Sequence, residues 1–493
     1  MNQISRRGLL GGIAGAVAAK PSPAQKASAV RYAKDNRLNV IFVVFDTWST
    51  HWMGCYGGEV AWTPSVDALA AKSAVFVDAY PENLYTPPAR RSIYTGRQTF
   101  PSERWQMWNL PVQRGWHPLF VEDVTLSEKL LDVNWTTALV SDLGHSFQPG
   151  FNYHRGFKSW RWVRGQEVDQ FETGPTKGIN PRDFLHESQK TIPAAGLFML
   201  YLVSRQFRRT EDDWAVAQTF DQASSWLERN VEDNQPFYLH VESYSPHEYW
   251  DPPDEYYRLY MKSNYDGPRL IQAPDSTSVL TPVELEHVRA LYSGLVTFTD
   301  LRFGRFLAKI EQLGLMENTI IVVTSDHGGL LGEQGVIHKS EGTLRTQVTN
   351  VPLIVYYPLE NLGGRRVKGF VQHIDIVPTI LELLGAEIPS RVTGQSFKEA
   401  LWSGTASKRD SIITGAGNFG SIRTPEFNYI GRWNAGPNAE QVYDLKKDPL
   451  ELTNIVSSQS SLAAACRQKL TSYVEESWQI TRGNLSRNME TAT

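Results

Sequence analysis

A short stretch of the sequence, residues 82–97, places a threonine directly before two prolines and two adjacent arginines. It reads ENLYTPPARRSIYTGR, and the prolines directly follow Thr86. Proline fixes the backbone φ angle, so the stretch predicts a helix that begins near Ala89 and has Thr86 at its positive end. Such an end favours phosphate or sulfate, and Arg90 or Arg91 can bind oxyanion oxygens. Taken alone, an N-cap threonine beside two solvated arginines is the more usual outcome.

Acidic residues follow two predicted strands elsewhere in the chain. The runs LNVIFVVF and NTIIVVTS are typical of fully buried strands, and they lead directly into Asp46 and Asp326. His327 comes next, and we expect the three side chains at the ligand-binding edge of a parallel sheet. Oxygen and imidazole donors suit Mn²⁺, Zn²⁺ or Ca²⁺, and a cation there would lower the pKa of a coordinated hydroxyl. The SDHGG segment alone is equally consistent with a turn.

The order of predicted elements indicates the fold class. Buried strand patterns alternate with segments of helical length along most of the chain, from residue 38 to about residue 390. This alternation predicts an α/β/α sandwich around a mainly parallel central sheet. The stretch 151–215 is rich in tryptophan and arginine, and we expect it to be irregular structure beside the site.

The pattern of predicted elements changes after Gly394. Short segments follow, DSIITGAG, NYIGRW and QVYDLKKDP, and then a helical pattern near residues 460–478. These segments predict a small antiparallel α+β subdomain at the C-terminus. The predicted domains are therefore a catalytic domain over residues 38–395 and a C-terminal subdomain over residues 396–493.

Composition and charge exclude several classes of protein. The chain has 493 residues, of which 41% are hydrophobic, so it is neither disordered nor fibrous. Its 49 basic and 53 acidic residues give a net charge of −4 without a long basic run, which speaks against a nucleic-acid partner. The two cysteines, Cys55 and Cys466, are expected to be unrelated buried thiols. Nothing in the sequence indicates an oligomeric state.

The N-terminus resembles an export signal. The segment SRRGLLGGIAGAVAAK places Arg6 and Arg7 before a weakly apolar run, and ASA at residues 27–29 resembles a cleavage site. We therefore predict a twin-arginine signal over residues 1–29, the twin-arginine export machinery as a partner, and a periplasmic or secreted mature protein. A frayed tail or one that lies on the membrane surface is the alternative.

Eight segments in a fixed order resemble the sulfatase family of the alkaline phosphatase superfamily. The resemblance runs from about residue 38 to about residue 478, and it rests on these segments: NVIFVVFDTWSTHWMGCYG, TPSVDALAAKSAVFVDAY, YTPPARRSIYTGR, SPHEYWDPP, IIVVTSDHGGLLGEQG, VPLIVYYP, HIDIVPTILELLG and YDLKKDPLELTNI. It implies an alkaline phosphatase-like fold and one divalent metal ion. It also implies a small anionic ester, or an ester linked to a glycan or lipid, as the substrate.

The resemblance also implies roles for individual residues. Asp46, Asp326 and His327 correspond to metal ligands, and Thr86 occupies the nucleophile position, where it is also a metal ligand. Arg90 matches the arginine of the family's Cys/Ser-x-Pro-x-Arg signature.

Two residues in two further segments correspond to groups around the transferred moiety. His247 and Lys339 match residues that contact the transferred group or protonate the leaving oxygen. His338 is a second candidate proton donor, and a loop histidine without a role in the chemistry is equally consistent with its position.

Three departures from the family pattern change the expected chemistry. Thr86 replaces the Cys or Ser that is oxidised to formylglycine, and oxidation of a secondary alcohol yields a ketone instead of that aldehyde. Thr47 replaces an aspartate and His327 stands where many members have asparagine, so we expect Mn²⁺ or Zn²⁺ in preference to Ca²⁺. The family's Lys-x-His element is replaced by SDLGHSF, in which His145 is either a substitute ligand for the substrate or a structural histidine.

Superfamily members with threonine, such as nucleotide phosphodiesterases and phosphoethanolamine transferases, attack phosphorus. We therefore predict a metal-dependent ester hydrolase that cleaves phosphoester or phosphonate-ester bonds through Thr86. The first alternative is an arylsulfatase-like sulfuric ester hydrolase that works without formylglycine. The second is a non-catalytic member that binds an anionic glycan or lipid, although the presence of so many charged site residues together argues against it.

Overall fold

The structure of the protein is a computed structural model. It describes residues 38–103, 114–148, 150–167, 169–191, 195–231, 235–406 and 409–482. The predicted export signal over residues 1–29 lies outside the described residues. Among the helices of those ranges, none combines the length and the apolar character that crossing a bilayer requires.

Strands and helices alternate over the described residues. The strands are β1 (Asn39–Phe45), β2 (Ala74–Phe76), β3 (Ala79–Tyr80), β4 (Asn83–Leu84), β5 (Thr136–Ser141), β6 (Ser159–Trp162), β7 (Phe237–Ser243), β8 (Thr319–Ser325), β9 (Leu330–Leu331), β10 (Ile337–His338), β11 (Leu353–Tyr356), β12 (Arg366–Val367), β13 (Val371–Gln372), β14 (Ile412–Ala416), β15 (Phe419–Arg423), β16 (Phe427–Arg432) and β17 (Gln441–Asp444). The helices are α1 (Pro64–Ala70), α2 (Thr86–Thr95), α3 (Leu126–Asp132), α4 (Gly144–Phe147), α5 (Ala195–Arg205), α6 (Ala215–Asn230), α7 (Asp254–Tyr257), α8 (Pro282–Gln312), α9 (Thr346–Thr349), α10 (Ile376–Leu383), α11 (Ala400–Ser403) and α12 (Ser460–Thr481).

An eight-stranded sheet forms the centre of the fold. Its strand order is β12-β2-β11-β8-β1-β7-β5-β6. The run from β8 to β6 is parallel throughout, and β11 is antiparallel to both of its neighbours. The prediction of a mainly parallel central sheet is therefore confirmed.

The central strand β1 explains why the sheet is covered on both faces. All seven of its residues are buried, and alternate side chains point to opposite sides. Ile41, Val43 and Phe45 pack in a cluster with residues of α6 and α8, whereas Val40, Phe42 and Val44 pack in a second cluster with residues of α2 and α10. Burying each such side chain contributes about 1.5–3 kcal/mol, so both faces stabilise the strands that carry Asp46 and Asp326.

A second sheet at the C-terminus supports the segment before Thr86. Strands β14 to β17 are antiparallel, as the sequence predicts, and β4 adds to their edge in parallel to β14. Because β4 ends at Leu84, two residues before Thr86, the C-terminal strands help to position the start of α2. The domain boundary at residue 395 stays a sequence prediction.

The stretch 151–215 differs from the sequence expectation. It contributes β6, which is the edge strand of the main sheet, and α5, so the expectation of irregular structure is wrong for these segments. Trp160 and Trp162 in β6 explain the strand, since alternating aromatic residues favour an extended edge. The loop after β6 brings Glu167 toward the carboxyl ends of the strands.

Candidate active site

Two neighbouring strand ends bring Asp46 and Asp326 together. Strands β1 and β8 are parallel, and Phe45 pairs with Ser325, so the next residue of each strand leaves the sheet at the same level. Asp46, Asp326 and His327 are all fully buried, and their ligand atoms lie within 4.8 Å of one another. The pKa of both carboxyl groups is raised, first by burial, and for Asp46 also by the neighbouring Asp326.

The tautomer of His327 shows that this group fits a cation. Its Nδ1 donates to the carbonyl oxygen of Gly328 at 2.9 Å, which leaves a lone pair on Nε2. Nε2 lies 3.3 Å from Asp326 Oδ2 and 4.0 Å from Asp46 Oδ1, and it has no hydrogen-bond partner among the described residues. Burial, and next Lys339, lower the pKa of His327 to about 3. A neutral imidazole lone pair that faces two carboxylates repels them unless a cation lies between the three groups.

Thr47 occupies a constrained position beside the carboxylates. Its φ is 58°, which is unusual for a β-branched residue. Its hydroxyl donates to Asp46 Oδ1 at 2.8 Å, and its backbone N–H donates to Asp326 Oδ1 at 3.1 Å. The hydroxyl of Tyr292 donates to the Thr47 carbonyl at 2.8 Å. Thr47 therefore orients both carboxylates where the family pattern has a further acid.

Thr86 is the first residue of α2 and lies next to Asp46. Its hydroxyl donates to Asp46 Oδ2 at 3.4 Å, and the residue is buried. The helix begins three residues before the expected Ala89, because the two prolines occupy its first turn. It ends at Gly96, whose φ is 65° and whose position would bring a Cβ within 2.9 Å of Val377.

Arg90 points into the site from the first turns of α2. Its Nη1 forms an ion pair with Asp326 and lies 3.3 Å from Asp46 Oδ2, and its Nε lies 3.6 Å from Glu242 Oε1. Burial opposes the charge on Arg90, but the carboxylates more than offset it, so the guanidinium pKa is raised. Its Nε and Nη2 make no hydrogen bond within the described part of the chain, which leaves donors for an anion.

Arg91 points away from the site. Its guanidinium donates to both oxygens of Asp123, at 2.8 and 3.1 Å, and lies 4.1 Å from the ring centre of Phe120. The structure thus separates the two adjacent arginines: Arg90, which the family resemblance singles out, points into the site, and Arg91 points away from it.

Lys339 and His247 form a hydrogen-bonded pair beside Thr47. His247 Nδ1 donates to the carbonyl of Glu248 at 2.7 Å, so its Nε2 accepts from Lys339 Nζ at 2.9 Å. Burial lowers the pKa of His247 to about 4, and the ring is therefore neutral near neutral pH. Lys339 Nζ also lies 3.4 Å from Thr47 Oγ1 and 3.4 Å from Glu248 Oε1. Lys339 is therefore the donor and His247 the acceptor in this pair.

Two other histidines lie around this centre. His338 Nδ1 bonds Asp275 Oδ1 at 2.9 Å, its ring packs on Trp250, and no hydrogen bond joins it to Thr86 within the described residues. His145 is buried between Trp116 and Tyr244, with ring centres 4.7 and 6.2 Å away. Burial, and next Arg90 and Lys339, lower the pKa of His145 to about 3, so this ring lies within the electrostatic reach of the site.

Four site residues are missing from the sequence prediction: Glu167, Glu242, Tyr244 and Glu248. Glu242 supports Arg90 from β7, and His240 and Tyr94 contact the same carboxylate oxygen, at 3.2 and 3.3 Å. Burial raises the pKa of Glu242, but Arg90 and His240 more than offset it, so its pKa is lowered. One signal for Glu242 was present, since PFYLHVES places His240 and Glu242 in a strand whose residues are all buried. Glu167 had none, because its partner Tyr244 is distant in sequence.

Two family models match this chain. A model described as Sulfatase matches residues 38–386, and one described as N-sulphoglucosamine sulphohydrolase, C-terminal, matches residues 332–477. Among curated proteins, an arylsulfatase from Clostridium perfringens is 26% identical over 462 residues, which cover 85% of this chain and 90% of that protein.

Solved structures share the fold. A phosphonate monoester hydrolase of Agrobacterium radiobacter matches with a TM-score of 0.67 and 21% identity, over 88% of this chain and 95% of that one. The protein BT4656, in complex with its substrate D-glucosamine-2-N,6-O-disulfate, matches with a TM-score of 0.66 and 21% identity, over 90% and 98%. At this identity the likeness establishes the fold, and the predicted α/β architecture is confirmed.

Proposed function

Because this chain belongs to the sulfatase family of ester hydrolases, we propose that it hydrolyses phosphoester or phosphonate-ester bonds through unmodified Thr86. One observation carries the proposal. The Thr86 hydroxyl lies at the N-terminus of α2, 3.4 Å from Asp46 Oδ2, beside the buried group of Asp46, Asp326 and His327. A hydroxyl in that position is directed at the anionic centre that a helix N-terminus and Arg90 attract.

The chemistry of threonine supports phosphorus over sulfur. A formylglycine mechanism needs an aldehyde, and the secondary alcohol of Thr86 can be oxidised only to a ketone. A direct alkoxide attack and a covalent phosphothreonine require no oxidation. The similarity of the fold to a phosphonate monoester hydrolase is consistent with this proposal.

Enzymes of this family bind a divalent metal, and the Asp46, Asp326 and His327 side chains fit such an ion. We propose that these three residues and the Thr86 hydroxyl hold it. Two carboxylates and one imidazole favour Mn²⁺ or Zn²⁺, with Ca²⁺ as the alternative. When bound, a divalent cation activates a hydroxyl and neutralises charge on a tetrahedral oxyanion.

The chain's own residues account for the remaining steps. The Thr86 oxygen attacks the ester centre in line and forms the new bond, and its proton passes to Asp46 Oδ2. Arg90 and Lys339 bind the non-bridging oxygens. As the bond to the leaving oxygen breaks, Lys339 Nζ passes a proton over 2.9 Å to His247 Nε2, and this nitrogen donates it to the leaving oxygen; His338 is the alternative donor. Water then cleaves the ester of Thr86 and restores the hydroxyl.

A sulfuric ester hydrolase is the second candidate. The similarity to an arylsulfatase over most of the chain favours it, and sulfate and phosphate esters present similar equatorial oxygens to Arg90. For the substrate we propose a small anionic ester or one linked to a glycan or lipid, and for the location the periplasm or the exterior after twin-arginine export.

A panel of aryl esters tests the proposal. p-Nitrophenyl phosphate, bis-p-nitrophenyl phosphate, p-nitrophenyl phenylphosphonate and p-nitrophenyl sulfate are assayed with added Mn²⁺ or Zn²⁺. We expect phosphorus esters to be cleaved, Thr86→Ser to keep part of the activity, and Thr86→Ala to lose at least about 10³-fold in kcat. Mass spectrometry after rapid acid quench should find the phosphoryl group on Thr86. Cleavage of sulfate alone supports the second candidate, and an adduct elsewhere overturns the mechanism.

A further inference from the structure

One acidic group in the site has no role in the proposed chemistry. Glu167 lies in the loop after β6, and its carboxylate accepts a hydrogen bond from the hydroxyl of Tyr244. That hydroxyl is also 3.3 Å from His247 Nε2, which places Glu167 one side chain away from the proton-donating pair. A carboxylate at this position repels an anionic ester, so its presence requires a physical explanation.

The charge of Glu167 has no cationic partner in the described part of the chain, since none of the observed ion pairs includes it. The nearby cationic side chains contact other carboxylates: Arg90 pairs with Asp326, and Lys339 Nζ lies 3.4 Å from Glu248 Oε1. Burial, and next the neighbouring Glu248, raise the pKa of Glu167 to about 7. A cation beside this carboxylate would relieve the cost of its ionisation.

Aromatic rings line the same side of the site. The ring of Tyr244 stacks on His247 with centres 4.3 Å apart, and His145 lies between Tyr244 and Trp116. We call Trp116, His145, Tyr244 and His247 the ring wall. His247 covers one face of the Tyr244 ring, so the main ring left for a ligand is that of Trp116, which is half-buried; a tryptophan face attracts ammonium groups, and more strongly where water is excluded. A carboxylate beside aromatic faces is therefore suited to a quaternary or primary ammonium ion.

The loop that carries Glu167 is held in place. Arg164 donates two hydrogen bonds to Asp169, each of 2.7 Å, and the N–H of Gly165 donates to the same carboxylate at 2.7 Å. These bonds tie Arg164 and Gly165 to Asp169, and Glu167 lies between them in sequence, so that its position is restricted before a ligand arrives.

We propose that Glu167 and the ring wall form a subsite for a positively charged alcohol portion of the ester. The proposal rests on the proposed function, because it places the ester centre at Thr86 and Arg90 and the leaving group toward His247 and Tyr244. The substrate class is then an ester of an amino alcohol or of an amino sugar, with the anionic centre and the ammonium group bound at opposite ends of the pocket.

An isosteric pair of esters tests the subsite. Choline phosphate and choline sulfate carry a trimethylammonium group, and the 3,3-dimethylbutyl esters replace its nitrogen with carbon at the same shape. At pH 8, we expect wild-type protein to prefer the choline ester by about 10- to 100-fold in kcat/KM. Glu167→Gln should abolish this preference mainly through KM, so that the variant cleaves the choline ester and its carbon analogue equally well. Glu187→Gln, which changes an exposed acid of the same stretch 151–215, should leave the preference unchanged.

Other outcomes would overturn the subsite. Equal activity of wild-type protein on both members of the pair contradicts it. An equal loss of kcat on both alkyl esters in Glu167→Gln, with aryl esters spared, would instead make Glu167 a proton donor. Calorimetric titration of Thr86→Ala with the two esters measures the preference without turnover, so a failure of the Thr86 chemistry is distinguishable from a failure of the subsite.

Discussion

Two buried clusters of arginine and carboxylate each include a residue of α2, and they differ in the balance of their charges. In the first cluster, Asp123 accepts hydrogen bonds from Arg91 and Arg97 on one carboxylate. In the second, the single guanidinium of Arg90 faces Asp46, Asp326 and Glu242. Adjacent residues of one helix thus take part in opposite arrangements.

The pKa values of the carboxyl groups reflect this difference. Burial raises the pKa of Asp123, but its two arginines more than offset it and lower the value to about 2. The pKa of Asp46 and of Asp326 is raised, first by burial, although Arg90 lowers both. A cluster whose arginines fully neutralise its carboxylate stabilises the fold. A cluster with more carboxylates than arginines, and with guanidinium nitrogens that have no hydrogen-bond partner among the described residues, is suited to bind a cation and an anion.

Exchanging each arginine for lysine tests this comparison most directly. Arg90→Lys should lower kcat/KM by about 10³-fold. The planar guanidinium of arginine can contact the carboxylates and a non-bridging oxygen at the same time, whereas the single ammonium group of lysine cannot. Arg91→Lys should leave kcat/KM of the folded protein unchanged and lower its free energy of unfolding. Steady-state kinetics and urea unfolding are measured on both variants. A similar loss of activity in the two variants would contradict the separation.

The carboxylates should also differ in their effect on stability. Asp123→Asn should lower the free energy of unfolding by about 3 kcal/mol, because it leaves Arg91 and Arg97 buried without a charged partner. Asp46→Asn in chelator-treated protein should cost less than about 1 kcal/mol, since Asp326 and Glu242 still pair with Arg90. Urea unfolding in the presence of EDTA measures both. A larger loss for Asp46→Asn would show that its charge is already matched without a metal.

Addition of metal should stabilise only through the second cluster. Mn²⁺ or Zn²⁺ at about 100 times its dissociation constant is expected to add about 2.7 kcal/mol to the free energy of unfolding. The increase should persist in Asp123→Asn and disappear in Asp46→Asn. Thermal unfolding across a metal titration provides the measurement, and an increase retained by Asp46→Asn would place the ion elsewhere.

A further buried carboxylate, Glu82, extends the comparison to a group that pairs with no arginine among the described residues. It accepts hydrogen bonds from Thr99 N and Phe100 N, yet burial raises its pKa to about 7 from the ordinary 4.5. Its contribution to stability is therefore fully present below pH 4.5 and is lost as pH rises through 7.

The variant Glu82→Gln isolates this effect, because glutamine does not titrate. Between pH 5 and pH 8, wild-type protein should lose about 2 kcal/mol more of its free energy of unfolding than the variant does. Urea unfolding at several pH values measures the difference. A pH dependence identical in both proteins would show that the hydrogen bonds to Glu82 offset its burial.

The sequence by itself determined the strands and helices whose signals lie in a short run of neighbouring residues. The runs of Val, Ile and Phe in β1 and β8 predict buried strands, because an all-apolar run can be covered only on both faces of a sheet. Asp46 and Asp326 directly follow these runs, so their common edge could be predicted together with His327. The prolines after Thr86 likewise indicated a helix start, and the structure moves it by three residues.

Only the tertiary structure decided which charges meet. Arg90 and Arg91 are neighbours in sequence, and the packing of α2 between the sheet and the segment around Asp123 turns one into the site and the other away. Glu167 reaches Tyr244 across 77 positions of sequence, through an edge strand that the sequence analysis did not predict. Burial patterns repeat with the period of a strand or helix and are therefore visible locally. Contacts between polar side chains depend on strand order and loop closure, and no local period encodes these.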